Sequence, residues 1–293
     1  MGTLFVVATP IGNLEDLSPR AQRILRAADL IAAEDTRRTA ALLRHFHIPV
    51  SPTRLVRYDE HSHARQAPRL LRALEQGKQV ALVSDAGTPG LNDPGAALVA
   101  AAWRAGHRVV PIPGPNAAIA ALSVAGLPTT PFAYLGYPPR KAGERQRWLE
   151  AFAAWPGTLV LLEAPHRLRA TLRALAQALG PERRIVVARE LTKAHEEIWR
   201  GTLAQAVAAW QAREPRGEFT LVVGPPDAAE PPRWDPAHLD AAIAQGLTAG
   251  ESPSALARRL AQASGWPRRE VYGRILRHAQ GQAPGEPTAD DEA

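Results

Sequence analysis

The stretch Ser84-Asp85-Ala86-Gly87-Thr88-Pro89-Gly90-Leu91-Asn92-Asp93-Pro94-Gly95 constrains the chain most. It lies between the apolar run Val80-Ala81-Leu82-Val83, which reads as a short buried strand, and residues 96–105, which read as a helix. A buried strand ending in a loop rich in Gly and Pro lays its backbone open at the carboxyl edge of a parallel sheet, where α/β folds bind ligands. A plain surface turn has the same composition, so the neighbouring units have to decide between the two.

Those neighbours repeat the pattern. Residues 4–8 form a first strand ending in Thr9-Pro10-Ile11-Gly12-Asn13-Leu14, and Ser18-Pro19 then caps a helix with Ile24, Leu25 and Ala28 on its apolar face. Residues 30–33 form a second strand, ending in Glu34-Asp35-Thr36-Arg37-Arg38-Thr39, where Asp35 or Thr36 suits a helix cap. A strand at 54–57, the loop Tyr58-Asp59-Glu60-His61-Ser62-His63, a helix at 67–75 and a strand at 108–110 complete a doubly wound α/β domain. His61 and His63 stand beside Asp59 and Glu60, but no distant acidic or His motif completes a metal site, so none is expected.

Pro111-Ile112-Pro113-Gly114-Pro115-Asn116-Ala117 suits neither a helix interior nor a central strand and is predicted to join two domains, 1–112 and 113–226. In the second, strands are expected at 132–136, 158–162, 184–188 and 219–223, and helices at 117–125, 145–154, 168–179 and 203–212. Charged groups cluster where two of these strands end, at Glu163-Ala164-Pro165-His166-Arg167 and at Arg189-Glu190-Leu191-Thr192-Lys193. Such clusters mark clefts, and they also cap helices and form ion pairs. Arg140 and Lys141 make the loop after residue 136 basic.

After a linker at 227–236, residues 237–281 resemble a helix-turn-helix. Ser252-Pro253 starts one helix, Ser264-Gly265-Trp266 turns, and Pro267 starts another. Residues 250–281 hold six Arg against two Glu, a net of +4 that suits RNA phosphates, with a capping helical hairpin as the other reading. Residues 282–293 read as a disordered acidic tail.

With 293 residues, 45% hydrophobic, the chain has material for two cores, and its formal charge of +6 permits a polyanionic partner. The absence of Cys excludes disulfides and thiolate chemistry. No apolar stretch suggests a membrane span or signal peptide, so a cytoplasmic enzyme is expected. Neither G-x-G-x-x-G after the first strand nor a P-loop is present, which argues against a nicotinamide dehydrogenase or a P-loop NTPase.

Six blocks, in order, resemble one family: Ala8-Thr9-Pro10-Ile11-Gly12-Asn13-Leu14, Ala33-Glu34-Asp35-Thr36-Arg37, Ser84 to Gly90, Pro113-Gly114-Pro115-Asn116-Ala117, Glu163 to Arg167 and Arg189 to Lys193. Together they look like the tetrapyrrole-methylase superfamily, in the branch that methylates the ribose of a cytidine in the decoding centre of 16S ribosomal RNA. The resemblance implies two α/β domains with a cleft between them, a homodimer, and S-adenosylmethionine as cofactor. By position, Pro10, Ser84, Asp85, Ala86, Gly87 and Thr88 would flank that cofactor. Asn116 and Ala117 would offer backbone groups, and Glu163, Ala164, Phe219 and Thr220 would line the other wall.

Gly- and Pro-rich loops let backbone groups approach a polar ligand, and Asp85 or a carbonyl would balance a sulfonium charge. For transfer to a 2′-hydroxyl, Glu190 and Lys193, then Glu34, are the candidates to accept the proton, with a structural ion pair as the competing role for Glu190. Arg37, Arg140, Lys141, Arg268, Arg269 and Arg274 are the expected RNA contacts, and the small ribosomal subunit the expected partner. A methylase of a tetrapyrrole precursor and a ligand-sensing nucleic-acid regulator are the alternatives.

Overall fold

Runs of three to five residues, mostly apolar, build the first sheet of the computed structural model, which describes residues 2–49, 51–226 and 233–280. They are β1 (Thr3–Val7), β2 (Leu30–Ala33), β3 (Leu55–Arg57), β4 (Gln79–Val83) and β5 (Arg108–Ile112). All pair in parallel, in the order β3-β2-β4-β1-β5. Parallel strands need helical crossovers, and helices on both faces explain why these runs are apolar on both sides. Helices α1 (Pro19–Ala27) and α2 (Thr36–His45) pack one face through Ile24, Leu25 and Leu43 against Val7, Ile31 and Val83. Helices α3 (His63–Glu75) and α4 (Gly95–Arg104) cover the other, where Leu70, Leu74 and Leu98 meet Leu4, Val80 and Leu82.

The second sheet contains β6 (Phe132–Gly136), β7 (Thr158–Glu163), β8 (Arg184–Arg189), β9 (Glu197–Thr202) and β10 (Phe219–Val223), in the order β6-β7-β10-β8-β9. Only β6 and β7 run parallel; β10 is antiparallel to both β7 and β8, and β9 is antiparallel to β8. Strand β9 is absent from the expectations. Helices α6 (Ala142–Glu150), α7 (Pro165–Leu179) and α8 (Leu203–Ala212) cover one face, and α5 (Ala117–Val124) the other. Helix α3 starts four residues before its expected position and carries Pro68 inside, and α6 ends at Glu150 because the next residues turn.

Among the described residues, those up to 226 form one compact unit and those from 233 a second. In the second unit, α9 (Pro236–Thr248), α10 (Pro253–Ser264) and α11 (Arg268–Ala279) share a core of Leu239, Ile243, Leu256, Leu260, Val271 and Ile275. Gly265, at φ +69°, ends α10 in the left-handed conformation that favours glycine. The expected linker overlaps this unit: Trp234 stacks on His238 at 4.2 Å and Asp235 caps α9. Residues 227–232 of that linker and the expected acidic tail lie outside the described residues. Among the described residues no helix is long and apolar enough to cross a membrane.

Candidate active site

Parallel pairing puts the loops after β1, β2, β4 and β5 on one edge of the first sheet, and the backbone then stitches them together. Thr9 and Gly87 exchange two backbone hydrogen bonds, 2.9 and 3.0 Å long. The Thr9 hydroxyl donates to the Ser84 carbonyl at 3.0 Å, and the Thr88 hydroxyl to the Pro115 carbonyl at 3.1 Å. Gly87 has φ +81°, the left-handed backbone that favours glycine and that turns this loop back to Thr9. Ser84 is buried, its hydroxyl donating to the Gly87 carbonyl at 3.1 Å, so its side chain shapes the loop.

Two cavities adjoin this edge. The larger, of about 540 Å³, is lined by Pro10, Gly12, Ser84 and Asp85, by Arg38, Leu42 and His45 of α2, and by Lys193. The smaller, of about 130 Å³, is lined by Gly87, Thr88, Asn116 and Ala117 from the first half, and by Tyr134, Tyr137, Phe219 and Thr220 from the second. Ile11, Ala86 and Glu218 border both, so the cavities meet there. Phe219 turns its ring into the core, 5.2 Å from Trp210 and edge-on, and offers the cavity its backbone. Asn116 caps α5, accepting from the Ile119 amide at 3.1 Å.

Glu163 and Ala164 are in the lining of neither cavity. The Glu163 carboxylate is fully buried, accepting from the Ala164 amide at 2.8 Å and the Thr171 hydroxyl at 2.5 Å, with Arg167 at 3.3 Å. A buried carboxylate needs such partners, and these bind it to the start of α7. Asp85 is also engaged: it accepts from the Asp35 amide at 2.9 Å and pairs with Arg38 at 3.3 Å. Glu34 accepts from the Asp85 amide at 3.4 Å, and burial pushes its carboxyl above the ordinary range.

Glu190 and Lys193 come together, joined by Glu218. The Lys193 ammonium donates to Glu190 at 2.8 Å and to Glu218 at 3.1 Å, and Glu190 also accepts from the Glu218 amide at 2.9 Å. Glu190 and Thr192 hold left-handed backbones, φ +50° and +66°, which turn the chain so that this cluster can close. Burial disfavours charge on both Lys193 and Glu190, but their mutual attraction, with Glu218, wins: Lys193 is raised and Glu190 lowered. Lys193 is therefore an ammonium, a cation held between two carboxylates.

Linkage gives the pair a stability window. The depressed Glu190 contributes stability present above its ordinary pKa of 4.5 and lost as pH falls through its lower folded value. The raised Lys193 contributes stability fully present below its ordinary 10.5 and lost as pH rises through its higher folded value. In urea titrations across pH, the stability difference between the wild type and Lys193→Met should be greatest between these limits and shrink beyond both. A difference that stays constant with pH would contradict the pairing.

The expected RNA contacts divide. Arg37 pairs with Asp35 at 2.9 Å, and hydrogen bonds from Arg37 hold the Asp35 carboxyl down to about 2. Lys141 pairs with Glu144 at 3.1 Å, and Arg140 is exposed. Arg268 reaches the Ser254 hydroxyl at 3.3 Å, and Arg269 has no ion-pair partner among the described residues. Arg274 is engaged within its own unit: both Asp240 carboxylate oxygens accept from it at 2.7 Å, and it lies 4.8 Å from the Trp266 ring centroid. Those contacts give Arg274 a structural role within its unit. Among the described residues no group of His, Asp and Glu could hold a metal ion.

Sequence reasoning missed Ile11, Arg38, His45, Tyr134, Tyr137 and Glu218 as lining residues. Arg38 and His45 carry a signal, since with Leu42 they recur at helical spacing along α2.

The fold and this stitched sheet edge define the class. The chain belongs to the family described as Tetrapyrrole (Corrin/Porphyrin) Methylases, whose model matches residues 3–207. It is 46% identical over 272 residues to Ribosomal RNA small subunit methyltransferase I of Synechocystis sp., a match covering 93% of this chain and 96% of that protein. To the protein of the same name from Escherichia coli O157:H7 it is 48% identical over 224 residues, 76% of this chain and 77% of that one. Its fold is that of the crystal structure of uroporphyrin-III C-methyltransferase from Thermus thermophilus complexed with S-adenosylhomocysteine. The TM-score is 0.53 at 23% identity, covering 76% of this chain and 97% of the other.

Proposed function

We propose that this chain is an S-adenosylmethionine-dependent methyltransferase of small-subunit ribosomal RNA, acting on the 2′-hydroxyl of a cytidine ribose in the decoding centre. The observation that carries this reading is the pair of cavities meeting at Ile11, Ala86 and Glu218, the larger rimmed by Arg38, His45 and Lys193. Methyl transfer needs donor and acceptor sites that touch at one point, and the name of the relatives, Ribosomal RNA small subunit methyltransferase I, points to RNA as the acceptor.

The small cavity, of about 130 Å³, takes only part of the cofactor: the backbone at Gly87, Asn116, Ala117 and Thr220 presents polar groups to it, and Glu218 is the one charged side chain in its lining. When bound there, S-adenosylmethionine supplies a methyl group on a positively charged sulfur, whose leaving group is a neutral thioether. The chain then has to align the acceptor hydroxyl and receive one proton. Glu218 borders both cavities, and its carboxylate accepts that proton as the new bond makes the hydroxyl acidic. Lys193 fixes Glu218, and Glu190 positions Lys193 from behind.

Arg269, Arg258 and Arg277, unpaired among the described residues, give the helical unit a basic surface for RNA phosphates. Ile119 and Val124 stand 51% and 44% exposed on the apolar helix α5, which supports a homodimer closing over that face. The setting is the cytoplasm, with the small ribosomal subunit as partner.

The test is transfer of a labelled methyl group from S-adenosylmethionine to unmodified small-subunit RNA, offered naked and as assembled subunits, beside a porphyrin precursor. Alkali-resistant label at one cytidine is the expected result. Label in the porphyrin alone would show that the acceptor is wrong.

A further inference from the structure

Helix α2 has a cavity on each flank. Arg38, Ala41, Leu42 and His45 face the larger cavity described above. Thr36, Arg37, Ala40 and Arg44 face a second, open one, of about 390 Å³, bordered by Pro52 and by Leu55 of the edge strand β3. The split follows from the 3.6-residue repeat: 37, 40 and 44 share one stripe, and 38, 41, 42 and 45 the neighbouring stripe.

The outer cavity has the chemistry of a nucleotide subsite. Ala40, Pro52 and Leu55 make an apolar floor, Thr36 stands at one end, and the backbone positions of Arg37 and Arg44 lie about 10 Å apart along the helix by its rise per residue. No carboxylate lines it. Arg44 is exposed and has no ion-pair partner among the described residues; Arg37 has one, Asp35, but is itself 90% exposed, where such a pair is worth little. Two cations around an apolar floor whose lining has no carboxylate suit a ligand with a flat apolar face and phosphates at its edges. A peptide would satisfy the floor but offers no reason for paired arginines, whose planar forks match phosphate oxygens.

We infer that the outer flank of α2 is a second RNA subsite, holding a nucleotide adjacent to the methylated one. Its base lies on Ala40, Pro52 and Leu55, and its phosphates are held by Arg37 and Arg44. The strand passes over α2 from this subsite to the larger cavity, so one short helix reads two positions of a single-stranded segment. This rests on the RNA reading of the larger cavity, since an RNA seated there continues past the same helix.

The experiment compares the full-length wild type with Arg37→Gln/Arg44→Gln. It measures binding of a fluorescein-labelled single-stranded RNA carrying the target cytidine across a salt series, S-adenosylmethionine affinity, and steady-state methyl transfer. Loss of two phosphate contacts should weaken RNA binding about tenfold and reduce the log–log salt slope by about 1.4. KM for RNA should rise with kcat and S-adenosylmethionine affinity unchanged. Arg69→Gln/Arg72→Gln, which removes the same charge from α3 on the opposite face of the sheet, should leave slope and KM at wild-type values.

If the α2 variant keeps the wild-type slope and KM while the wild type methylates RNA, the outer flank is idle and only this inference falls. An effect confined to assembled subunits, with binding of free RNA unchanged, would assign the flank to a ribosomal protein and overturn it too. A wild type that neither binds nor methylates RNA would remove the functional reading itself, and the subsite with it.

Discussion

Lys193→Met is expected to bind S-adenosylmethionine as the wild type does and to transfer methyl groups at least about a hundredfold more slowly, the usual scale for a lost acid–base or charge-positioning group. Methionine keeps most of the aliphatic stem that packs beside Gly12 and removes only the ammonium. Glu190 and Glu218 would then face each other with no cation between them. Both carboxylates accept from Lys193 in the wild type; without it Glu190 loses the contact that holds its carboxyl below the ordinary range, and repulsion drives the exposed Glu218 away from the meeting point of the cavities.

The loss should therefore appear in kcat, and the acid limb of the rate profile should move to higher pH as Glu190 becomes harder to ionise. Lys193→Arg should not restore the rate, because a planar fork cannot occupy the position of a compact ammonium between two carboxylates. Equal losses in kcat and in S-adenosylmethionine affinity, with no change in the pH profile, would show that Lys193 only holds the loop together.

What could be read in the sequence follows from how local each signal is. Strands β1, β2 and β4 are apolar runs that end in punctuating loops, and Asp35 caps α2 as its position suggested. Strand β9 is different: Glu-Ile-Trp-Arg-Gly-Thr is half exposed, carries two charges and pairs only with β8, so tertiary pairing rather than composition makes it a strand. The expected start of α3 put Pro68 in its first turn, whereas the helix continues through it, because Leu70, Ala73 and Leu74 anchor its apolar face against the sheet.

The candidate site divides in the same way. Loop residues such as Pro10, Gly87 and Asn116 were legible because their backbone chemistry is written in Gly, Pro and Asn. Glu218 was not, since a charged residue before a strand has no local mark, and its place depends on Lys193, 25 residues earlier. Glu163 was legible as a charged group at a strand end, but whether it faces a cleft or Thr171 depends on where α7 packs.

Gly12→Ala should have the second large effect, and it acts through the same lysine. A Cβ on Gly12 would lie 2.5 Å from Lys193 Cγ, 2.6 Å from the Thr192 hydroxyl and 2.9 Å from the Leu191 carbonyl oxygen. The lysine stem can move aside, but the carbonyl belongs to a backbone already held by the left-handed residues Glu190 and Thr192. The loop after β1 must therefore retreat, lengthening the 3.0 Å bond from the Asn13 amide to the Thr192 hydroxyl that joins the two halves. Overpacking of this kind costs about 1–3 kcal/mol of stability, which a urea titration would detect. A displacement of about 1 Å at a reacting centre costs on the order of a hundredfold in rate.

Because both substitutions remove the same thing, a correctly placed ammonium, their effects on kcat should not add. The double variant Gly12→Ala/Lys193→Met should be hardly slower than Lys193→Met alone, whereas independent defects would multiply. Multiplying effects would mean that Gly12 matters for the cavity mouth rather than for Lys193, and a Gly12→Ala enzyme with wild-type kcat would show that the contact between the two loops has no part in positioning the proton acceptor.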